Sequence, residues 1–185
     1  MNTLTTDQGT HPVELGREEL DQQQFLTFVS ASETYGINIL AIKEILEFGD
    51  LTHVPMMPDY VRGVMNLRGS VVPVIDLSAR LGNDVTPSSK KTCIVIVEVN
   101  HDGEVLDIGV VVDAVNEVIE IPAENIEAPP PFGANIRTDF IGGMGRIDDK
   151  FVVLLNVGNV LSIEELSMLE QASKINTNKL GEDPA

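Results

Sequence analysis

Short apolar runs rich in Val and Ile, separated by turn and loop residues, mark most of the chain as strands. Phe25-Leu26-Thr27-Phe28-Val29 reads as a strand, and Glu33-Thr34-Tyr35-Gly36 as the turn leading into Ile37-Asn38-Ile39. Ile39, Ile42 and Ile45 recur at every third position, a spacing that predicts a helical turn in place of a pleat. Val54-Pro55-Met56-Met57-Pro58 reads as a loop, and Pro73 assigns the strand at 71–75 to an edge or a bulge, because proline has no N–H for a ladder. Residues 94–99 and 105–112 flank Asp102-Gly103, a hairpin signal, and 147–157 give a second hairpin around Asp148-Asp149. Pro87-Ser88-Ser89 is a connector, and Pro129-Pro130-Pro131-Phe132-Gly133 a loop. Ser162 with Glu165 forms a capping box, opening a helix whose apolar stripe is Ile163, Leu166, Leu169 and Ala172. Residues 1–23 and 175–185 lack any periodicity and read as a disordered and a flexible tail.

The chain also repeats itself. Residues 61–77 align without gaps to 141–157, glycine meeting glycine at Gly63 and Gly143, with 71–75 and 151–155 apolar throughout and Asp76 opposite Asn156. Residues 36–47 align in the same way to 109–120, where a glycine, an alanine and two glutamates coincide. Two blocks in the same order indicate a duplicated unit. The period is too long for a solenoid. The expected architecture is therefore all-β with a C-terminal helix: two small antiparallel barrels packed as a pseudo-symmetric pair, meeting at an apolar groove. The first repeat spans about 24–88, the second about 89–161, and the helix 162–174.

Composition narrows the function. Val and Ile supply 38 residues, enough aliphatic matter for a β-rich core. The net charge of −17 repels a phosphate backbone and makes nucleic acid a poor partner. No apolar run reaches the roughly 20 residues of a membrane-spanning helix. The N-terminus does not read as a signal peptide, so a cytoplasmic protein without membrane insertion is expected. Residues 92–136 carry nine carboxylates and no Lys or Arg, whereas 61–91 carry five bases against two acids. That asymmetry is either ordinary solvated surface or two faces suited to different partners.

Catalytic chemistry is thin. His11, His53 and His101 show no ligand spacing and read as solvated; the lone Cys93 opens an apolar strand and reads as a small core residue. Gly142-Gly143-Met144-Gly145 lacks the ending of a phosphate loop, and nothing assembles a nucleophile, a base and an oxyanion site. No enzyme, cofactor or metal is expected. Ile39, Ile42 and Ile45, with their duplicates Val112, Val115 and Val118, are either plain core or the walls of a groove for an amphipathic helix. Arg68 is either solvated or free to reach a carboxylate. Gly63 serves a turn or a close backbone approach. Phe132 plugs its own loop or stands out as an anchor.

At these residues the chain resembles the CheW family of bacterial chemotaxis coupling proteins. The tract at 61–77, with Gly-Val-Met-Asn-Leu-Arg-Gly and then Val-Val-Pro-Val-Ile-Asp-Leu, carries the resemblance most strongly. Phe25-Leu-Thr-Phe, Tyr35-Gly-Ile-Asn-Ile-Leu-Ala-Ile-Lys-Glu-Ile, Gly109-Val-Val-Val-Asp-Ala-Val and Phe140-Ile-Gly-Gly match as well. The resemblance implies two five-stranded barrels of the Src-homology-3-like or OB-like kind, with strands exchanged between repeats as an open alternative to a linear boundary. It implies a non-enzymatic adaptor linking the cytoplasmic tips of chemoreceptors, the methyl-accepting chemotaxis proteins, to the regulatory domain of the histidine kinase CheA. Other CheW copies in rings are further partners it allows, and recruitment to membrane-bound receptor arrays follows. A coupling protein of a related pathway, such as pilus-driven motility, is the alternative. Carried over by position, the receptor site is Leu26, Ile39, Ile42, Ile45 and Val115, with Glu44, Gly63 and Arg68 nearby, and Phe132 matches a kinase or ring contact. Glu127 and the triple proline depart from the family pattern.

Overall fold

A computed structural model describes residues 22–130, 139–162 and 164–171. Its strands are β1 (Gln22–Ser30), β2 (Glu33–Asn38), β3 (Ile42–Glu47), β4 (Val61–Leu67), β5 (Ser70–Asp76), β6 (Cys93–His101), β7 (Glu104–Val112), β8 (Ala114–Pro122), β9 (Ile126–Glu127), β10 (Ile141–Ile147) and β11 (Lys150–Leu155). Single helical turns, α1 (Leu77–Arg80) and α2 (Val157–Val160), follow β5 and β11, and a longer helix α3 occupies 164–171. The first sheet runs β8-β1-β2-β11-β10-β9 and the second β3-β6-β7-β5-β4.

The duplication is written in the hydrogen-bond register. Val61 pairs with Ile75 as Ile141 pairs with Leu155, and both ladders slip by one residue before Gly63 and Gly143. The parallel ladders correspond too: Val74 faces Gly109, and Leu154 faces Gly36. Each sheet takes its opening hairpin from one repeat and its remaining strands from the other. The linear boundary near residue 88 is thus not a spatial one: β3 to β7 form one sheet, and β1 and β2 join the C-terminal strands. Strand number differs from the expected five only in the first sheet, where β9 adds two residues against Met144 and Gly145. Its duplicate in the second sheet is a single bridge, Thr52 to Val64.

Each sheet bends round its own small core. Leu46 of β3 and Met65 and Leu67 of β4, from opposite ends of the second sheet, pack on the same cluster of Val72, Val74, Ile94, Ile96 and Val111. Phe25, Ile121, Val152 and Leu154 do the same in the first sheet. Among the described residues no ladder closes either sheet into a barrel. The outer faces of both sheets meet in a third and largest cluster, which includes Leu26, Phe28, Ile75, Val97, Val110 and Leu155. Glycine is required inside: a Cβ on Gly109 would stand 2.8 Å from Ile94 Cγ2 and 3.0 Å from Val74 Cγ2.

Several local expectations shift. The first hairpin turns at Ala31-Ser32, both at positive φ, and not at 33–36, which belongs to β2. The turns at Arg68-Gly69, Asp102-Gly103 and Asp148-Asp149 share that left-handed pair, the geometry that matches strand twist. Ile39, Ile42 and Ile45 do not make one helical face: Ile39–Ala41 is a 3-10 turn, and the other two lie in β3. Pro73 sits in an interior strand, where a missing N–H would ordinarily cost a ladder bond. Val64, opposite it, gives both backbone groups to Thr52, so Pro73 nitrogen points toward β7, whose ladder to β5 begins only at Val74.

Asp76, fully buried, accepts from Arg62 Nη1 at 2.8 Å, Thr86 N–H and Oγ1 at 2.9 Å, and Ala79 N–H at 3.2 Å. The charge is fully partnered and caps α1. The capping box forms as read from the sequence: Glu165 N–H donates to Ser162 Oγ and Ser162 N–H to Glu165 Oε1, each at 3.1 Å. Leu166 and Leu169 bury in the central cluster, while Ile163 and Ala172 lie outside the described residues. His101 is buried rather than solvated, its Nε2 3.1 Å from Ser167 Oγ on α3. Cys93 is half-buried, and that burial pushes its thiol pKa up.

Candidate partner-binding site

The chain changes sheets twice, at duplicated places. Between β2 and β3 it makes the 3-10 turn at Ile39–Ala41, started by Asn38, whose Oδ1 accepts from the Leu40 N–H at 2.9 Å. Between β7 and β8 only Asp113 intervenes. Its N–H donates to the Val29 carbonyl at 2.9 Å and its carboxylate accepts from the Ala31 N–H at 2.8 Å. Both crossings are therefore pinned, and both bring apolar residues onto the central cluster: Ile39, Ala41 and Ile42 from the first, Val115 from the second.

Strand pairing extends this apolar face to the surface. Ile42 lies opposite Val97 and Ile45 opposite Val95; Val115 lies opposite Phe28 and Val118 opposite Leu26. All four of those partners belong to the central cluster, and opposite residues share a face of the sheet. Ile42 and Val115 are half-buried at the start of each stripe, while Ile45 at 43% and Val118 at 52% exposure continue it into solvent. Leu26, at 4% exposure, is the floor and not a wall. Two apolar stripes of the same origin thus leave the core at the sheet crossing.

Polar groups flank the first stripe. Arg68 occupies the tip of the β4–β5 turn at φ 54°, held there by Asn66 Oδ1 accepting the Gly69 N–H at 2.8 Å. Its side chain, 77% exposed, reaches Glu44 Oε1 on β3 at 2.9 Å. Such an exposed pair adds little stability, roughly 0–1 kcal/mol, and leaves the guanidinium free to exchange partners. Beside it Lys43 Nζ lies 3.0 Å from Asp107 and 3.2 Å from Glu98, and bonds to those carboxylates raise its pKa. Gly63 is buried at φ +140°, and a Cβ there would collide with the Thr52 carbonyl oxygen. It serves the close approach of the Thr52 backbone and presents no surface. Phe132 lies outside the described residues. Of the exposed apolar residues here, Val118 was read from the sequence as core or groove wall, while Leu40, 88% exposed, escaped the sequence reading of the site. Val118 was legible as the duplicate of Ile45; Leu40 carried no signal until the 3-10 turn displayed it.

The CheW-like domain profile matches residues 24–165. The chain belongs to the CheW-like family. It is an adaptor of chemotaxis signalling. It is 32% identical over 152 residues to the chemotaxis protein CheW of Klebsiella aerogenes, covering 82% of this chain and 89% of that one. With CheW of Helicobacter pylori it shares 34% identity over 138 residues, 75% of this chain and 81% of the relative. Among solved structures it is similar to the scaffolding protein TtCheW from Thermoanaerobacter tengcongensis, at a TM-score of 0.68 and 35% identity, over 77% of this chain and 96% of that one. Among the described residues, no helix of this CheW-like chain is long and apolar enough to cross a membrane.

Proposed function

We propose that this chain couples the cytoplasmic tips of chemoreceptors to the histidine kinase CheA without catalysing a reaction itself. The observation that carries this reading is the pair of duplicated apolar stripes, Ile42 with Ile45 and Val115 with Val118, leaving the core where the sheets exchange strands. An amphipathic receptor helix lays its apolar face along such stripes. Ile39, Ile42, Ile45 and Val115 form the contact, Leu26 supports it from beneath, and Gly63 fixes the neighbouring backbone. Glu44 and Arg68 at the rim contribute polar contacts that select the partner. Contact with the kinase regulatory domain, and with other copies in rings, is assigned to Phe132 by the family resemblance and not to the stripes. The chain works from the cytoplasm and is recruited to receptor arrays.

Arg68 tests the rim. A charge-assisted bond to a partner is worth roughly 1.5–3 kcal/mol, about ten- to a hundredfold in affinity. Arg68→Ala is expected to weaken receptor-fragment binding by that factor, and Arg68→Lys to restore only part of it, since the ammonium lacks the planar fork. Titrations at two salt concentrations, paired with thermal melts, read both effects. Were Arg68→Ala to melt several degrees lower and bind normally, Arg68 would be a structural residue and the rim contact would be wrong.

A further inference from the structure

The two crossings between the sheets are duplicates, and Leu40 in the first corresponds to Asp113 in the second, at the same offset that relates Ile42 to Val115. The two residues are used in opposite ways. Asp113 turns inward: its carboxylate accepts from the Ala31 N–H at 2.8 Å and its own N–H donates to the Val29 carbonyl, so it ties the crossing to the first hairpin. Leu40 turns outward: its side chain is 88% exposed and has no place in the three apolar clusters of the described residues. A crossing of this kind does not require a leucine.

The backbone that carries Leu40 is nevertheless fixed on both sides. Asn38 Oδ1 accepts its N–H at 2.9 Å, and the Ile42 N–H closes the turn onto the Ile39 carbonyl. Ile39, Ala41 and Ile42 hold the same turn against the central cluster. A single exposed leucine is ordinary on a folded surface. One mounted on an immobilised turn has little backbone freedom left to lose when it meets a partner, which suits it to be an anchor. Its place matters too. Two residues separate Leu40 from Ile42, so their Cα atoms stand at most about 7 Å apart, little more than the rise of about 5.4 Å in one helical turn.

We infer that Leu40 is a further anchor for the receptor helix, and that Asn38 is the residue that positions it. The inference rests on the coupling role proposed above and extends its contact surface. A helix that lays its apolar face on Ile45 and Ile42 meets Leu40 with the next apolar residue of that face, one turn on. The second crossing has no equivalent anchor, since Asp113 stands there and is engaged with Ala31.

The test titrates the full chain with a coiled-coil fragment of a receptor cytoplasmic tip, with Ile45→Asp as the reference for the stripe. Leu40→Ser is expected to weaken binding roughly tenfold or more, the worth of burying a leucine side chain, at an unchanged melt. Leu40→Met, which keeps the apolar bulk, is expected to retain most of the affinity. Asn38→Ala is expected to weaken binding severalfold, and Asn38→Asp, which keeps an acceptor oxygen for the Leu40 N–H, to restore it. In the Leu40→Ser background Asn38→Ala is expected to change binding no further, a result that a merely structural asparagine would not give. Normal binding by Leu40→Ser while Ile45→Asp loses it would overturn the anchor and leave the coupling role standing; normal binding by Ile45→Asp would overturn both. An Asn38→Ala defect that persists undiminished in the Leu40→Ser background would overturn the positioning role.

Discussion

Ile42 and Ile45 lie three residues apart on one strand and face the same cluster, yet they have different amounts to lose. Ile42 is half-buried against the central core, so a carboxylate there must be desolvated or must pull the strand edge open. Ile42→Asp is expected to cost about 2 kcal/mol or more and to lower the melt visibly. Ile45, with 43% of its surface already in water, tolerates the same change within about 0.5 kcal/mol. Receptor-fragment binding is expected to fall in both variants. Circular dichroism melts run beside binding titrations separate a lost contact from a lost fold: if Ile45→Asp binds receptor normally at an unchanged melt, the stripe is not a contact surface. The spacing of Ile39, Ile42 and Ile45 made all three look equivalent. They are not, because a bulge between Ile42 and Glu44 and a 3-10 turn before them replace the helical period that the spacing suggested.

Among the elements, α3 is one whose docking depends on pH, through Glu165. Glu165 on this helix accepts from Arg80 Nη2 at 3.0 Å and caps Ser162, and Tyr60 bonds to it as well. Burial alone would raise the Glu165 pKa, but the bonds from Tyr60 and Ser162, with the Arg80 guanidinium, outweigh it and hold the carboxyl below its ordinary value of 4.5. A depressed carboxyl pKa stabilises the fold above the unfolded-state value, and that contribution is lost as pH falls through the folded one. Glu165→Gln is therefore expected to melt below the wild type at pH 7, by roughly 1 kcal/mol, and to approach it as the pH drops below the carboxylate range. Melts of the two proteins across that range read the difference directly, and a gap that stays constant would contradict the ionised network. The capping box of this helix was legible, because Ser162 and Glu165 are adjacent in sequence. The docking partners Tyr60, Arg80 and His101 were not, since they come from distant elements and share no periodicity with the helix.

At the scale of the molecule, the internal duplication was the most legible feature and strand exchange the least. Gapless alignment of 61–77 with 141–157 foretold matching ladders, because register follows from the order of apolar residues and glycines. Sequence cannot say which copy pairs with which: β2 can lie beside β5 or β11 with the same face buried, and β11 is the one it joins. The chosen pairing creates the two crossings, and with them the site. That is why the stripe residues could be named from the sequence while their depths, from Leu26 on the floor to Val118 in solvent, could not. The coupling role is tested most directly by sedimenting receptor-tip assemblies with the kinase CheA, with and without this chain. The kinase is expected to sediment with the receptor only when the chain is present, and Ile45→Asp is expected to leave both chain and kinase in the supernatant. Sedimentation of the kinase to the same extent without the chain, or a chain that stays in solution whatever receptor fragment is offered, would contradict the account.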